Sequence, residues 1–112
     1  MSDLNRHDLI GNLGSDPETH NHGDRTVTRF RLATSRRWRD PQGEQKEDTQ
    51  WHTVTCWGQL AVNVAKHLSK GRKVYVSGRI HHSEYEGQNG VKLRGVETVA
   101  QTVLFLDKGP DQ

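Results

Sequence analysis

The sequence of 112 residues contains one cysteine, Cys56, which excludes an internal disulfide and a zinc site built from several cysteines. No apolar run approaches the roughly 18 residues that a membrane-spanning helix needs. Residues 2–5 lead into no apolar segment, so we expect no secretory signal. Leu, Ile, Val and Phe together number only 23, just above the roughly 20% of residues below which disorder is expected. We therefore expect one folded domain with a small core over residues 1–107, followed by a short C-terminal extension at 108–112.

Ten valines and nine threonines against four alanines favour strands over helices, because β-branched side chains pack well on a pleated sheet. In the segment 25–34, Thr28, Phe30 and Leu32 alternate with Val27, Arg29 and Arg31. This period of two predicts a strand with one buried face and a basic outer face. The predicted strands are 4–13, 25–34, 50–58, 73–80 and 91–106, the last after a hairpin turn at Asn89-Gly90.

One helix is predicted between the third and fourth strands. Leu60, Val64 and Leu68 recur at a helical spacing beside Ala61 and Ala65, and Gly71 closes the segment. Residues 40–48 are polar and begin with a turn at 40–43. This order is typical of an all-β protein, a five-stranded Greek-key barrel of the OB type with one short α-helix between strands 3 and 4.

The net charge of +2 hides two basic stretches that contain no acid. Residues 25–39 carry six arginines, and residues 59–83 carry five lysines or arginines. Such stretches indicate a polyanionic partner, because an ion responds to the local field, although ordinary solvated side chains would give the same pattern. The candidate phosphate contacts are Arg29, Arg31, Arg36, Arg37, Arg39, Lys66, Lys70, Arg72, Lys73 and Arg79.

The aromatic residues bear most directly on function. Period two in the strand 50–57 places Trp51 and Trp57 on one face and Val54 and Cys56 on the other. From this strand alone either face could be the core, and buried tryptophans are the commoner arrangement. Two further rings favour the opposite arrangement, in which the tryptophans face outward.

Trp38 lies among three arginines, and burying its ring would draw guanidinium groups out of water. Tyr85 lies in a polar hairpin arm that offers little core to join. Rings interleaved with cations are typical of single-stranded nucleic-acid binding, in which bases stack on the rings and Arg and Lys contact phosphates. We therefore expect base stacking on Trp38, Trp51, Trp57 and Tyr85.

Ordered blocks over residues 4–106 resemble the DNA-binding domain of the bacterial single-stranded DNA-binding protein family. The matching segments are Gly11-Asn12-Leu13-Gly14, Asp16-Pro17-Glu18, Leu32-Ala33-Thr34-Ser35, Trp38-Arg39-Asp40, Gly43-Glu44, Lys46-Glu47, Trp51-His52, Gly58, Leu68, Lys70-Gly71, Val74-Tyr75-Val76 and Gly78. The resemblance implies an OB fold, single-stranded DNA as partner, a homotetramer and a cytoplasmic, nucleoid-associated role in DNA replication, recombination and repair. It also implies stacking at the four rings, with Trp57 where the family often has Phe and Tyr85 where it often has Trp. His52 corresponds to a histidine that the family places near a subunit contact.

The sequence departs from the family pattern in three places. The first strand, which in the family usually pairs with a neighbouring protomer, reads Arg6-His7-Asp8, where the family commonly has apolar residues at the last two positions. Because of that family pairing, Arg6 and Asp8 join His52 as candidate interface residues. Arg29, Arg31, Arg36 and Arg37 add charge, which should strengthen the attraction of phosphates. The family's acidic tail, which recruits replication and repair enzymes, is absent from this polypeptide, which we expect to be either a trimmed chain or a tail-less paralogue.

Other functions are less well supported. His20 with His22, and His81 with His82, invite a metal site, but neither pair has a partner at a ligand spacing. The acidic residues at 44, 47 and 48 fall in a predicted polar loop rather than in a catalytic pair. We expect neither an enzyme nor a bound cofactor, metal or membrane. An OB-fold adaptor and an RNA-binding protein remain alternatives.

Overall fold

The chain is described by a computed structural model that covers residues 3–107, so the predicted extension at 108–112 lies outside the described residues. The elements are β1 (His7–Leu13), β2 (Glu18–His22), β3 (Arg25–Arg39), β4 (Gln45–Trp57), α1 (Gln59–His67), β5 (Lys73–Glu86) and β6 (Lys92–Phe105), with a 3₁₀ turn at Gln88–Gly90. Neither this turn nor α1 is long and apolar enough to cross a membrane.

Five of the strands close into a barrel in the order β1-β5-β6-β4-β3. The ring closes where β3 returns to β1, with Asn12 opposite Ala33 and Leu13 opposite Leu32. The pairing of β4 with β6 is parallel and the other pairings are antiparallel. The helix follows the third barrel strand, as the OB prediction requires, so the fold class is confirmed. The sheet contains a sixth strand, β2, which pairs with β3 outside the ring.

The core fills the barrel with the inward faces of β3, β4 and β5. Leu32, Val54 and Val76 are fully buried, and Ala61 and Val64 of α1 cover the core. The hydroxyl of Thr28 is also buried, and it donates a hydrogen bond of 2.8 Å to the carbonyl of Ala61, which fixes the helix on β3.

The helix is shorter than predicted. Leu68 is already extended, and Gly71, with φ of 92°, belongs to the following turn rather than to the helix end. The backbone N–H of Gly71 donates to the carbonyl of Leu13 at 2.8 Å, so this glycine connects the turn to β1. Ala65 is exposed, because the buried stripe of the helix runs through Ala61 and Val64.

The polar segment before residue 49 was predicted as a loop and is instead the first part of β4. Residues 45–48 pair with Arg36–Arg39, so β3 and β4 form a long hairpin that extends beyond the barrel. Its tip is the predicted turn, where the carboxylate of Asp40 accepts hydrogen bonds from the backbone N–H groups of Gln42 and Glu44. The prediction of a loop was wrong because both faces of this extension are solvated, and no apolar alternation marks it.

The second hairpin, formed by β5 and β6, was predicted correctly at its turn. Asn89 and Gly90 have φ of 68° and 73°, values that Asn and Gly adopt most readily. Beyond the barrel this hairpin becomes an exposed arm that carries Tyr85 on one strand and Leu93 directly opposite.

Candidate nucleic-acid interface

Strand β4 turns its tryptophans outward. Val54 and Cys56 are fully buried, while the ring of Trp51, on the opposite face of the strand, is 50% exposed. Trp57 lies on the same face as Trp51 and is half-buried. The outward arrangement is therefore the correct one of the two that the strand pattern left open.

Trp51 rests on Gly14. A Cβ atom at Gly14 would lie 2.1 Å from Cζ3 of the indole, so only a residue without a side chain leaves room for the ring there. The guanidinium carbon of Arg31 lies 4.8 Å from the ring centroid. The backbone N–H of Gly14 also donates to the carbonyl of Arg31 at 2.8 Å. The two residues that contact the indole are therefore hydrogen-bonded to each other.

The other two tryptophans also have an arginine over the ring. The guanidinium carbon of Arg25 lies 4.5 Å from the centroid of Trp57, and that of Arg36 lies 4.5 Å from the centroid of Trp38. Both distances are within the range of a cation–π interaction. Arg25 was not among the predicted phosphate contacts. It directly follows the Gly23-Asp24 turn between β2 and β3, a Gly-Asp pair that is typical of a hairpin but was not used in the prediction.

Tyr85 belongs to the same sheet face as Trp57. Alternation along β5 places Tyr85 on one face with Arg79 and His81, and the register sets His81 opposite Glu97. Arg79, His81, Glu97 and Trp57 then line one cavity of about 290 Å³. The face is continuous from the barrel to the arm, where Tyr85 is 56% exposed.

Trp38 lies apart from the other rings. In the register of β3 with β4, Ala33 is opposite Trp51 and Lys46 is opposite Trp38. Residues 33 and 38 differ by an odd number, so Trp38 lies on the other face of the hairpin, where it is 40% exposed. The structure therefore brings three of the four predicted rings to one face.

The predicted cations divide between several surfaces. Arg29 and Arg31 border a cavity of about 290 Å³ with Thr53, next to Trp51 on β4. Arg37 and Lys73 border a different cavity, of about 420 Å³. Five more are exposed: Arg36 and Arg39 on the β3–β4 hairpin, Lys66 on α1, Lys70 in the turn after it and Arg79 beside Trp57.

Arg72 is occupied by a structural contact. Its Nε donates to Oδ1 of Asp107 at 2.8 Å, and its Nη1 donates to the carbonyl of His67 at 3.1 Å. The side chain is only 14% exposed. The hydrogen bond from Arg72 is the main cause that lowers the pKa of Asp107. Arg72 thus fastens the end of α1 to the end of β6.

The three predicted interface residues lie on two surfaces. Asp8 is on the outer face of β1, where it accepts hydrogen bonds from Ser77 at 2.6 Å and Arg6 at 3.1 Å; the first of these is the main cause that lowers its pKa. His52 is half-buried on the other side, 5.5 Å from the ring of His7. Burial, and then the neighbouring His7, lower the pKa of His52.

Within residues 3–107, no three His, Cys, Asp or Glu side chains come together as a metal-ligand set. The sole cysteine, Cys56, is fully buried, and burial raises the pKa of its thiol to about 12. The thiol thus has the environment of an inert core residue.

Comparison with known proteins matches residues 4–106 to the single-strand binding protein family. The chain belongs to that family. It is 36% identical over 104 residues to the single-stranded DNA-binding protein of Xanthomonas campestris pv. campestris and 38% identical over 104 residues to that of Neisseria meningitidis serogroup A. Each match covers 92% of this chain and 60% of the relative, so the chain spans about three-fifths of the length of these relatives.

A solved structure of a family member shares the whole fold. The Plasmodium falciparum SSB complex with ssDNA superposes with a TM-score of 0.82 at 35% sequence identity. The match covers 96% of this chain and 98% of the other. This agreement places the barrel, the helix and both hairpins within one family architecture.

Proposed function

We propose that this chain binds single-stranded DNA without regard to sequence and protects it during replication, recombination and repair. The observation that carries the proposal is the outward sheet face on which Trp51, Trp57 and Tyr85 lie among arginines. The relatives named above are single-stranded DNA-binding proteins by name, and the similar structure is a complex with ssDNA. The action is binding without catalysis.

Stacking supplies the affinity. A base stacked on an aromatic ring contributes about 1–3 kcal/mol by alanine substitution, so three rings allow about 3–9 kcal/mol as a non-additive upper range. Every base has a π-face, and preference for one sequence is therefore weak. The rings need unpaired bases, so a duplex is excluded. Trp38 lies on the other face of the β3–β4 hairpin, so it contacts a different part of the bound DNA strand.

The cations direct the sugar-phosphate backbone along the rings. Arg25, Arg31 and Arg36 each lie against a ring, so each keeps a positive charge within reach of the phosphate of a nucleotide that binds at that ring. Arg79 borders the cavity that contains Trp57, and Arg29 borders a cavity with Arg31 and Thr53. Arg37, Arg39, Lys66, Lys70 and Lys73 extend the positive surface, and Arg72 is left out because Asp107 holds it.

We also propose that the protein is a homo-oligomer, a tetramer as in the family resemblance, that works in the cytoplasm at the nucleoid. Ile10, Tyr75 and Leu104 are register neighbours across β1, β5 and β6, and Ile10 and Leu104 are largely exposed. Such an apolar row on an outer face supports a subunit contact, flanked by Arg6 and Asp8. Size-exclusion chromatography with light scattering tests this proposed oligomer. The mass of a monomer at micromolar concentration would contradict the proposal.

The substitution Trp51→Ala tests the DNA-binding proposal. Loss of one stacking ring raises the Kd for an oligo-dT roughly 5- to 160-fold, since about 1–3 kcal/mol is lost. The Tm changes little, because the ring lies outside the core. Phe105→Ala is the matched control, since Phe105 is an exposed ring beside His67 and not on the tryptophan face.

Two outcomes would contradict the proposal. Unchanged affinity in Trp51→Ala together with a large fall in Tm would make Trp51 a structural residue. Competition by oligo-U as effective as by oligo-dT would favour RNA as an equal ligand, because stacking does not sense the 2′-hydroxyl.

A further inference from the structure

A carboxylate lies beside the tryptophans on a face that also carries several arginines. Glu97 of β6 lines the cavity of about 290 Å³ that contains Trp57 and also a cleft of about 140 Å³ that contains Trp51. Its side chain is 25% exposed. Glu97 therefore lies between the two tryptophans and is accessible from both.

The carboxylate of Glu97 is held in place from below. The hydroxyl of Thr55, which is fully buried, donates to its Oε2 at 3.0 Å. Its other oxygen, Oε1, lies 3.6 Å from Nδ1 of His81. Each carboxylate oxygen can accept more than one hydrogen bond, so both keep acceptor capacity toward the open face.

The strand pairing opens the space beside this group. β4 and β6 are paired at Val54 with Thr98 and at Thr55 with Val99. The 140 Å³ cleft lies just before these pairs, between Trp51 of β4 and Val96 of β6, with Glu97 on its wall. A base stacked on Trp51 would border this cleft, because Trp51 and Glu97 both line it.

The charge of Glu97 excludes one kind of contact and favours another. A phosphate would be repelled by the carboxylate, so we expect the backbone of a bound DNA strand to follow the arginines and its base edges to face Glu97. A carboxylate accepts hydrogen bonds and does not donate them. The amino group of cytosine is a suitable donor, whereas thymine presents a carbonyl oxygen at the same position.

We propose that Glu97 is a specificity residue that accepts a hydrogen bond from the amino group of a base, and so favours cytosine over thymine at this one position. The proposal rests on the proposed function, and it adds a local base preference to a site that otherwise binds every sequence. The preference arises from a fixed anion among the stacking rings.

The test compares ten-nucleotide oligo-dC and oligo-dT by tryptophan fluorescence at pH 8, where cytosine is not protonated. Glu97→Gln removes the charge but keeps an acceptor for Thr55, and its amide also donates to thymine. The ratio Kd(dC)/Kd(dT) should rise about fivefold in this variant, the low end for a single base contact. Glu84→Gln is the matched control, since Glu84 is paired with Arg94 on the arm at 3.7 Å, and its ratio should not change.

A second variant separates hydrogen bonding from charge. Glu97→Asp keeps the negative charge but withdraws the carboxylate by one methylene, and the ratio should rise in this variant as well. If Glu97→Gln changes both Kd values by one common factor and Glu97→Asp changes neither, Glu97 acts only by repelling phosphates and the proposal is overturned. If the wild-type protein binds neither oligonucleotide, the proposed function itself fails, which is a different result.

Discussion

The contact between Gly14 and Trp51 leads to a quantitative prediction. In Gly14→Ala, the new Cβ would lie 2.1 Å from Cζ3 of the indole, whereas carbon atoms in contact are about 3.5–4.0 Å apart. The ring must therefore move by roughly 1.5 Å, away from the position in which Arg31 lies over it. Gly14 is not among the glycines with positive φ, so the backbone accepts alanine without strain.

We expect Gly14→Ala to weaken oligo-dT binding by about five- to tenfold, a partial loss of the 1–3 kcal/mol of one stacking ring. The free energy of unfolding should change by less than about 1 kcal/mol, because the displaced ring is half in solvent and the lost glycine flexibility acts in the opposite direction. Fluorescence titration measures the first quantity, and urea denaturation measures the second.

A double-mutant cycle provides the control for this prediction. If Gly14 acts through Trp51, Gly14→Ala in a Trp51→Ala background should cause no further loss of affinity. An equal loss in both backgrounds would refute the reasoning, since it would mean that Gly14 contacts DNA directly or shapes another part of the surface. Unchanged affinity in the single variant would refute it as well.

Three further predictions concern stability and reactivity. Thr28→Val removes the buried donor to the Ala61 carbonyl and should lower the free energy of unfolding by about 1–2 kcal/mol; an unchanged urea midpoint would argue against this bond. Cys56, with its pKa raised to about 12, should not react with a thiol reagent at pH 8 until the protein unfolds, and rapid labelling of the native protein would mean that the thiol is accessible. The pKa of Asp107 is lowered from 3.8 by Arg72, so their contact stabilises the fold above about pH 4 and is lost as the pH falls further. The difference in the free energy of unfolding between the wild type and Arg72→Met should therefore become smaller from pH 7 to pH 3. A difference that stays constant would contradict the claim that Arg72 lowers the pKa of Asp107.

The barrel could be predicted from the sequence because its strands bury one face each. In β3 the period of two distinguishes Phe30 from its exposed neighbours. In β4 it distinguishes the buried Val54 from the exposed Thr53, and this pattern is local. The turn at Asn89-Gly90 could also be predicted from the sequence, since both residues favour positive φ. Even here two positions differ. Val27, on the predicted outer face of β3, is buried where it pairs with Trp57, and Thr55, on the face of the tryptophans, is fully buried.

The elements that sequence reasoning missed lack an apolar pattern. All five residues of β2 are exposed, and the outer part of the β3–β4 hairpin is solvated on both faces, so neither shows a period. The predicted helix end at Gly71 was wrong because that glycine is needed for a contact with β1, far away in the chain. Long-range contacts of this kind leave no local signal.

The same contrast between local sequence patterns and long-range contacts applies to the candidate site. The identity of the rings could be predicted, since aromatic residues among arginines are unusual in a core. Their grouping could not, because it depends on strand register: Trp38 lies on the far face of its hairpin, and Arg72 is held by Asp107. The position of Glu97 between two tryptophans likewise follows from the pairing of β4 with β6 and from no motif.

The central claim is that unpaired bases stack on the tryptophan face while arginines hold the phosphates. Titration of the intrinsic tryptophan fluorescence with oligo-dT, at low and high salt and against a duplex of equal length, tests it most directly. We expect strong quenching by single-stranded DNA and none by the duplex. The affinity should fall as the salt concentration rises, and the log–log slope should be about 0.7 per neutralised phosphate. If neither DNA changes the emission, or if the duplex quenches it equally, unpaired bases do not stack on the tryptophan face as claimed.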